Sequence, residues 1–461
     1  MADIVCVSPI DGKELVRRST ASAGEIESAL TRARQAQRDW ALAPLGERIA
    51  IVMRGVDALG SMNEDIVGEL ARQMGRPIRY GGEFRGVEER ARHMAAIADT
   101  ALAPIVPASR EGFQRLIKRE PLGLVLVIAP WNYPYLTAIN SIVPALIAGN
   151  AVILKHAAQT ILVGERFQQA FDRAGLPPGL FTHLVLSHDD AARIIAARAV
   201  DHVNFTGSVD GGKAIEQAAA GTFTSLGLEL GGKDPAYVRP DAKLDHAVEN
   251  LVDGAFYNSG QCCCGIERIY VHEQVHDRFV ESFLELTGRY LLGNPLEQDT
   301  TLGPMANLRF ADLVRRQTAE ALAKGARGHL DAKAFPANAE GTAYLAPQVL
   351  TRVDHSMSVM VDESFGPVVG IMQVKSDDEA VSLMNDSRYG LTASIWSSDT
   401  DAAQALGDRI ETGTVFMNRC DYLDPALAWT GVKDTGRGAS LSEIGYAMLT
   451  RPKSFHLRRA I

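Results

Sequence analysis

The sequence predicts an α/β protein with two doubly wound domains. Short apolar runs typical of buried strands alternate with amphipathic stretches typical of helices, and this order favours parallel sheets covered by helices on both faces. Two such series follow each other, one from Phe113 and one after Asp241, and 461 residues are enough for more than one domain. Ligand sites of such sheets lie where the strands end, so the turns there hold the candidate functional residues.

The first series follows a hairpin-like entry at residues 8–22 and a helical region from Ala23 to about His93. Its predicted strands are residues 113–119, 122–129, 151–155, 182–186, 202–205, 225–230 and 236–239. Its predicted helices are residues 139–147, 163–174, 190–197 and 212–220.

The second series contains predicted helices at 275–291 and 308–324, and predicted strands at 266–271, 368–373 and 392–395. The tail beyond Arg451 alternates polar and apolar residues as an edge strand does. We therefore expect this tail to pair with another strand, for which a second subunit is one candidate.

The composition is that of an ordinary globular protein, with 46% hydrophobic and 22% charged residues. The net charge of -9 argues against nucleic acid or an anionic membrane as the main partner. The start lacks the pattern of a secretory signal, and no apolar run reaches the length of a membrane span, so we expect a cytoplasmic protein. Five cysteines, three of them adjacent, predict neither a disulfide framework nor a metal site.

The three adjacent cysteines, Cys262 to Cys264, lie in a glycine-flanked turn that runs from Asn258 to Gly265. A helix-like stretch leads into this turn and a strand-like run leaves it. A thiol held there, with glycines that let a ligand approach the backbone, suits a nucleophile. Free cysteines are also often inert, buried hydrophobic residues, so the turn alone leaves both interpretations open.

Two other patterns point to different chemistry. His272 and His276, with Glu273 beside the first, match the zinc-protease pattern, but that pattern requires one continuous helix and His272 ends a predicted strand. Residues 207–213 and 227–233 have the glycine and lysine spacing of a phosphate loop, but each lacks the Ser or Thr that would hold magnesium. A strand end, glycines and a helix start can still bind a phosphate without hydrolysing it.

Glu229 lies at the end of an apolar predicted strand, where a charged side chain is costly unless it has a partner or a chemical role. One interpretation is a structural ion pair with Lys233. The other is a carboxylate that takes part in catalysis.

Seven motifs, spread in order over nearly the whole chain, closely resemble those of the aldehyde dehydrogenase superfamily. They are Pro130-Trp-Asn-Tyr-Pro134, Lys155 at a strand end, Phe205-Thr-Gly-Ser208 with Gly212, Glu229-Leu-Gly-Gly-Lys233, Gly260-Gln-Cys-Cys263, Glu363-Ser-Phe-Gly-Pro367 and Asn418 in Gly413-Thr-Val-Phe-Met-Asn. The resemblance implies that the chain oxidises an aldehyde to a carboxylic acid with NAD+ or NADP+. Succinic semialdehyde is one candidate substrate.

The resemblance implies three catalytic residues. Cys263, at the last position of the Gly-Gln-x-Cys motif, would attack the carbonyl, and Cys262 and Cys264 would not. The Asn132 amide and the Cys263 backbone N–H would hold the oxyanion. After hydride transfer to the nicotinamide, Glu229 would activate the water that hydrolyses the thioester, which favours release of a free acid over acylation of coenzyme A.

The cofactor contacts implied by the resemblance come from several motifs. They are Trp131 and Ser208 at the pyrophosphate, Lys155 at the ribose hydroxyls, Gly207 and Gly212 where the backbone comes close, Glu363 at the nicotinamide ribose and Phe365 near the ring. NAD-preferring members usually have a glutamate three residues after the lysine, where this chain has Ala158. We therefore expect NADP+ to be tolerated, with His156 as a possible phosphate contact.

The late family motifs are altered, with Trp429-Thr430 and Ser440 at positions where other residues are usual. Residues 419–424 are expected at the substrate mouth, where Arg419 favours a carboxylate and Asp421 and Asp424 disfavour one.

The resemblance implies a cofactor domain (1–107 and 121–236), a catalytic domain (237–439) and a small β oligomerisation arm (108–120 and 440–461) that forms a homodimer or homotetramer. Two functions of other classes remain as alternatives: a zinc hydrolase that uses His272 and His276, and a non-catalytic protein that has kept the fold.

Overall fold

A computed structural model describes residues 2–459. The strands are β1 (Asp3–Val7), β2 (Glu14–Ser19), β3 (Phe113–Pro121), β4 (Leu124–Ala129), β5 (Ala151–His156), β6 (Phe181–His183), β7 (His202–Thr206), β8 (Ser225–Glu229), β9 (Asp234–Val238), β10 (Ile266–His272), β11 (Arg327–Gly328), β12 (Gln348–Thr351), β13 (Val368–Val374), β14 (Thr392–Trp396), β15 (Thr414–Met417), β16 (Gly436–Arg437) and β17 (Thr450–Arg458). The helices are α1 (Ala23–Trp40), α2 (Leu45–Gly60), α3 (Asn63–Met74), α4 (Phe84–Ala101), α5 (Pro134–Ile147), α6 (Leu162–Arg173), α7 (His188–Ala196), α8 (Val209–Ala219), α9 (Leu244–Phe256), α10 (His276–Thr287), α11 (Leu308–Ala323), α12 (Ser358–Val361), α13 (Asp377–Asn385), α14 (Thr400–Gly407) and α15 (Ser442–Met448).

The first sheet has the strand order β16-β8-β7-β4-β5-β6, and all its strands except β16 are parallel. Every residue of β4 and β5 is buried, as expected for central strands covered on both faces. Because the strands are parallel, β4, β5, β7 and β8 all end at one edge. That edge holds Trp131, Lys155, Gly207 and Glu229.

The second sheet has the order β11-β12-β13-β10-β9-β14-β15 and is parallel except for β11. The sequence analysis assigns residues 236–239 to the first series, but β9 lies between β10 and β14 in this second sheet. All five residues of β9 are buried, and a fully buried strand shows no pattern that reveals which sheet it joins. The expected boundary after residue 236 therefore falls inside β9, and the sheets divide between Glu229 and Asp234.

A long two-stranded ribbon is formed by β3 and β17, which pair antiparallel from Thr450–Pro121 to Arg458–Phe113. Most of its residues are exposed or half-buried. The second segment of the oligomerisation arm was predicted to begin at residue 440. The first part of that segment instead forms α15, which packs against α4, and Tyr446 donates a 2.8 Å hydrogen bond to the Met94 carbonyl there. Within this segment, β17 is the part that forms the ribbon. Across residues 2–459, no helix is both long and apolar enough to cross a membrane.

Candidate active site

A cavity of about 330 Å³ lies where the two sheets meet, and both Cys263 and Glu229 line it. Cys263 lies in the turn between α9 and β10, a strand of the second sheet, whereas Glu229 is the last residue of β8 in the first sheet. The fold thus brings together two residues that are 34 positions apart, one at the end of a strand of the first sheet and one in the turn before a strand of the second.

The cysteine turn has an unusual backbone. Asn258, Ser259 and Gly260 have φ angles of 54°, 58° and 69°, in the left-handed region that non-glycine residues rarely adopt. A Cβ atom on Gly260 would lie 2.3 Å from the Gly366 carbonyl oxygen, so only glycine fits there. The Gln261 side-chain amide stabilises the turn. It donates to Asn258 O at 3.0 Å within the turn, and it accepts from Ala306 N at 2.7 Å in a separate loop.

The three thiols have different surroundings. Cys262 and Cys264 are buried, and each donates a hydrogen bond to the same Asp421 oxygen, at 3.0 and 3.1 Å. Cys263 is half-buried. The nearby thiols of Cys262 and Cys264 and the backbone N–H groups of the turn favour its thiolate and lower its pKa well below the usual value, while the pKa values of Cys262 and Cys264 are raised. Of the three, Cys263 is therefore the thiol that ionises most readily.

Glu229 is half-buried at the end of β8. Burial raises its pKa to about 7, although Ser440 Oγ donates to it at 2.6 Å and Thr206 Oγ1 at 3.3 Å. The alternative of a structural pair with Lys233 is wrong, because the Lys233 ammonium pairs with Glu267 and donates to Ser364 Oγ at 3.0 Å. The Glu229 carboxyl is thus left for the cavity.

Asn132 is held through its backbone. Its carbonyl accepts hydrogen bonds from Arg76 Nη2 at 2.6 Å and from Asn258 Nδ2 at 3.3 Å, which ties the loop after β4 to the cysteine turn. Arg76 is fixed in turn by a buried ion pair with Glu83, whose other oxygen caps the first turn of α5. Within residues 2–459 the Asn132 side chain forms no hydrogen bond, so its amide is available to a ligand.

At the end of β5, the Lys155 amine is buried and has no hydrogen-bond acceptor among the described residues, and burial lowers its pKa. A buried, unpaired cation fits a hydroxyl-rich ligand such as a ribose. Ala158 is exposed just beyond it. The expectation that His156 contacts a phosphate is wrong: its ring is buried between Pro134 O and Thr160 Oγ1, and burial lowers its pKa to about 3.

The turn from β7 to α8 has the geometry of an anion site. Gly207 donates to Glu229 O at 3.0 Å, and Ser208 caps α8 by accepting from Gly211 N at 3.2 Å. A Cβ atom on Gly212 would lie 2.6 Å from the Leu230 side chain, so α8 can approach the loop after β8 only because that residue is glycine. The start of this 11-residue helix can hold a pyrophosphate.

Trp131, Glu363 and Phe365 lie near the same edge. Phe365 adopts a φ of 50° and contacts the Trp131 ring edge-on, with 5.5 Å between ring centroids. Glu363 accepts a 3.0 Å hydrogen bond from Gly232 N, and burial raises its pKa to about 8. The roles of Trp131 at the pyrophosphate, of Glu363 at the nicotinamide ribose and of Phe365 near the nicotinamide ring remain predictions.

The zinc-hydrolase alternative is wrong on geometry. His272 ends β10 and His276 begins α10, so the two histidines do not share a helix. The His276 ring bonds Asp277 at 2.9 Å. In the described part of the chain, the one group of metal-ligand side chains that lie together is Cys262, Cys263 and Cys264, whose sulfur atoms lie within 4.8 Å of one another.

Several site residues escaped the sequence analysis. Arg76, Glu83 and Asn258 hold the loops together, and Ser440 contacts the candidate base. The altered late motif gave a signal for Ser440, because its hydroxyl replaces the usual side chain. As expected, the segment at residues 419–424 reaches the cavity through Asp421 and Tyr422, but Arg419 is exposed and lies over the Tyr422 ring at 3.4 Å.

Known proteins resemble this chain in sequence and in overall structure. Residues 2–455 match the sequence profile of the Aldehyde dehydrogenase family. The chain is 33% identical over 441 residues to the succinate semialdehyde dehydrogenase [NAD(P)+] Sad of Escherichia coli (strain K12), covering 96% of this chain and 95% of that protein. It is 33% identical to geranial dehydrogenase of Castellaniella defragrans (strain DSM 12143 / CCUG 39792 / 65Phen), covering 94% and 91%.

Among solved structures, the NADP-dependent glyceraldehyde-3-phosphate dehydrogenase from Bacillus halodurans C-125, complexed with NADP, superimposes with a TM-score of 0.93. The two chains are 32% identical, and the match covers 100% of this chain and 96% of that one. The fold class predicted from the sequence is thus confirmed. The chain belongs to the aldehyde dehydrogenase family.

Proposed function

We propose that this NAD(P)+-dependent aldehyde dehydrogenase works through a thioester on Cys263 that Glu229 helps to hydrolyse. The observation that carries the proposal is the placement of Cys263 and Glu229 in one cavity, with an acidified thiol on one side and a carboxyl of raised pKa on the other. Groups whose environments push their pKa values in opposite directions can divide the roles of nucleophile and base.

In the first step the Cys263 thiolate attacks the aldehyde carbon and forms a thiohemiacetal. The charge that develops on oxygen is stabilised by the Asn132 amide and the Cys263 backbone N–H. The Arg76 and Asn258 contacts to the Asn132 carbonyl keep this donor in place before the substrate arrives, so little reorganisation is needed during the reaction.

In the last step Glu229 takes a proton from water, and the hydroxide that results attacks the thioester and releases the carboxylic acid and the Cys263 thiolate. A base works best when its pKa lies near the working pH, and the Glu229 pKa of about 7 meets this condition. Ser440 and Thr206 orient the carboxyl while it waits.

The residues at the strand ends fit a dinucleotide. Lys155 offers an unpaired buried amine, and the start of α8 offers backbone donors. A Cβ atom on Gly231 would lie 2.4 Å from a Glu363 carboxylate oxygen, so glycine at this position lets Glu363 lie against the loop after β8. When bound, the nicotinamide supplies the acceptor for the hydride that leaves the thiohemiacetal. The exposed Ala158 has no carboxylate to repel a 2′-phosphate, which supports use of NADP+ as well as NAD+.

The proposal is tested by following reduced cofactor at 340 nm with several aldehydes, in wild type, Cys263→Ala and Cys262→Ala. Cys263→Ala should lose turnover while it still binds cofactor, and Cys262→Ala should keep most of its activity. Equal losses in both variants would show that Cys263 is not the nucleophile.

We also propose that the enzyme is cytoplasmic and forms a homodimer or homotetramer. Its five cysteines are all free, and oxidising compartments favour disulfides. The exposed ribbon of β3 and β17 has unpaired edges that suit contact with another copy. Sedimentation of the chain with and without residues 450–458 would test the assembly.

A further inference from the structure

Arg90, on α4, is a buried cation in the wall of the substrate cavity with no carboxylate partner. Its side chain is 8% exposed, and its Nη1 atom donates to Leu136 O at 3.0 Å and Asn140 Oδ1 at 3.2 Å. In the described part of the chain, its Nε and Nη2 atoms have no acceptor. A buried guanidinium usually pairs with a carboxylate or is fully hydrogen-bonded, so Arg90 retains capacity to bind an anion.

Asn140, on α5, holds the Arg90 guanidinium in place. It is 3% exposed and lines the cavity beside Arg90. Its orientation is fixed, because Arg90 can only donate and must therefore face the amide oxygen. The amide nitrogen is left buried without a partner. That nitrogen has almost no accessible surface, so it is closed to a ligand, and Asn140 acts on the site by orienting Arg90 through its amide oxygen.

We infer that Arg90, oriented by Asn140, binds the carboxylate of an aldehyde substrate whose other end is an acid, that is, an oxo acid. Arg90 presents its Nε and Nη2 atoms to the carboxylate, while its Nη1 atom stays bonded to Leu136 O and Asn140 Oδ1. The inference rests on the proposed function, since it assigns the substrate class of the same cavity. It also moves the expected carboxylate contact away from Arg419, which is exposed outside the cavity wall.

Four carboxyl groups in the cavity wall oppose an anionic substrate less than their number implies. One of them is Glu229, whose pKa burial raises to about 7 and whose carboxyl accepts hydrogen bonds from Ser440 and Thr206. Glu89 and Asp253 are exposed, so solvent and salt screen them, and Glu89 accepts a 2.7 Å hydrogen bond from Tyr422. Asp421 is engaged by two thiols, and its burial raises its pKa to about 7. Arg90 is permanently charged and buried, so solvent weakens its attraction for a bound anion less than it weakens the repulsion from the exposed Glu89 and Asp253.

The test compares three aldehydes of different charge: succinic semialdehyde, pentanal and betaine aldehyde. Wild type should prefer succinic semialdehyde. Arg90→Gln should lower kcat/KM for succinic semialdehyde about 100-fold, mainly through KM, while it changes pentanal turnover less than about threefold. Arg90→Lys should recover part of the loss, and Asn140→Ala should cost about tenfold.

Arg85→Gln is the matched control, because Arg85 is exposed on the same helix and should have no effect. The inference fails if pentanal or betaine aldehyde is preferred, or if Arg90→Gln and Arg90→Lys lower the activity on pentanal as much as that on succinic semialdehyde. Oxidation of pentanal alone would overturn the carboxylate subsite and leave the proposed function standing. If all three aldehydes are inert with folded, reduced protein, the proposed function fails and the inference with it.

Discussion

Replacing Glu229 by glutamine separates its catalytic role from its effect on stability. The change removes the base but keeps the size of the side chain and an oxygen that can accept from Ser440. Loss of general-base catalysis typically costs 10²- to 10⁴-fold, so steady-state turnover should fall by about that factor. Formation of the thioester does not need the base, so one equivalent of reduced cofactor should still appear as a burst.

The same substitution should stabilise the fold at alkaline pH. Burial raises the pKa of Glu229 from 4.5 to about 7, so the folded protein holds its proton more tightly than the unfolded chain does. Below pH 4.5 both states are protonated and the residue costs nothing; the cost grows between pH 4.5 and 7 and reaches about 3 kcal/mol above pH 7. Glutamine avoids this cost, so Glu229→Gln should raise Tm at pH 8.5 and change it little at pH 5.

Stopped-flow absorbance at 340 nm and thermal melts at the two pH values measure both effects. Wild-type turnover should fall about tenfold per pH unit below pH 7, because the protonated carboxyl cannot act as a base. In Ser440→Ala the ionised Glu229 loses a hydrogen bond, so its pKa should rise. The pH below which turnover declines should therefore be about one unit higher than in the wild type. Unchanged turnover in Glu229→Gln, or a lower Tm at pH 8.5, would refute the reasoning.

Two further predictions address the cofactor and the loop support. Ala158→Glu should lower kcat/KM for NADP+ at least tenfold and leave kcat/KM for NAD+ unchanged, because a carboxylate at this exposed position repels a 2′-phosphate. Parallel assays with the two cofactors measure this difference, and equal losses with both would contradict the prediction. Glu83→Gln leaves Arg76 as a buried charge without its partner and should lower the free energy of unfolding by about 3 to 5 kcal/mol, as measured in urea. The control is Glu88→Gln on α4, which removes a solvent-accessible ion pair with Arg92, and similar effects of the two substitutions would argue against the role of the Arg76–Glu83 pair.

The elements that the sequence predicted well are those with a local pattern. The buried run ending at Ala129 and the alternating run from Phe113 both form strands, as predicted. The wrong assignment of β9 has a physical reason, since a strand buried on both faces shows no preference for either sheet. The tail was expected to pair with another strand, and its partner in this chain is β3, 329 residues away at the Thr450–Pro121 pair.

The candidate site was predictable where resemblance pointed to single residues and unpredictable where contacts are long-range. Cys263 and Glu229 meet at one cavity as the resemblance implied, although their roles remain predictions. The support of Asn132 by Arg76 joins residues 56 positions apart and leaves no local signal. His156 looked available beside Lys155, but alternation along β5 turns neighbouring side chains to opposite faces, and this placed it in the interior.

The central claim is that Cys263, and neither adjacent thiol, carries the acyl group. Glu229→Gln protein should be mixed with aldehyde and NAD(P)+, quenched in acid, digested, and sequenced by tandem mass spectrometry across residues 262–264. The account predicts one acyl group per chain, on Cys263, in an amount equal to the burst of reduced cofactor. An acyl group on Cys262 or Cys264, or a burst with no acylated cysteine, would contradict it.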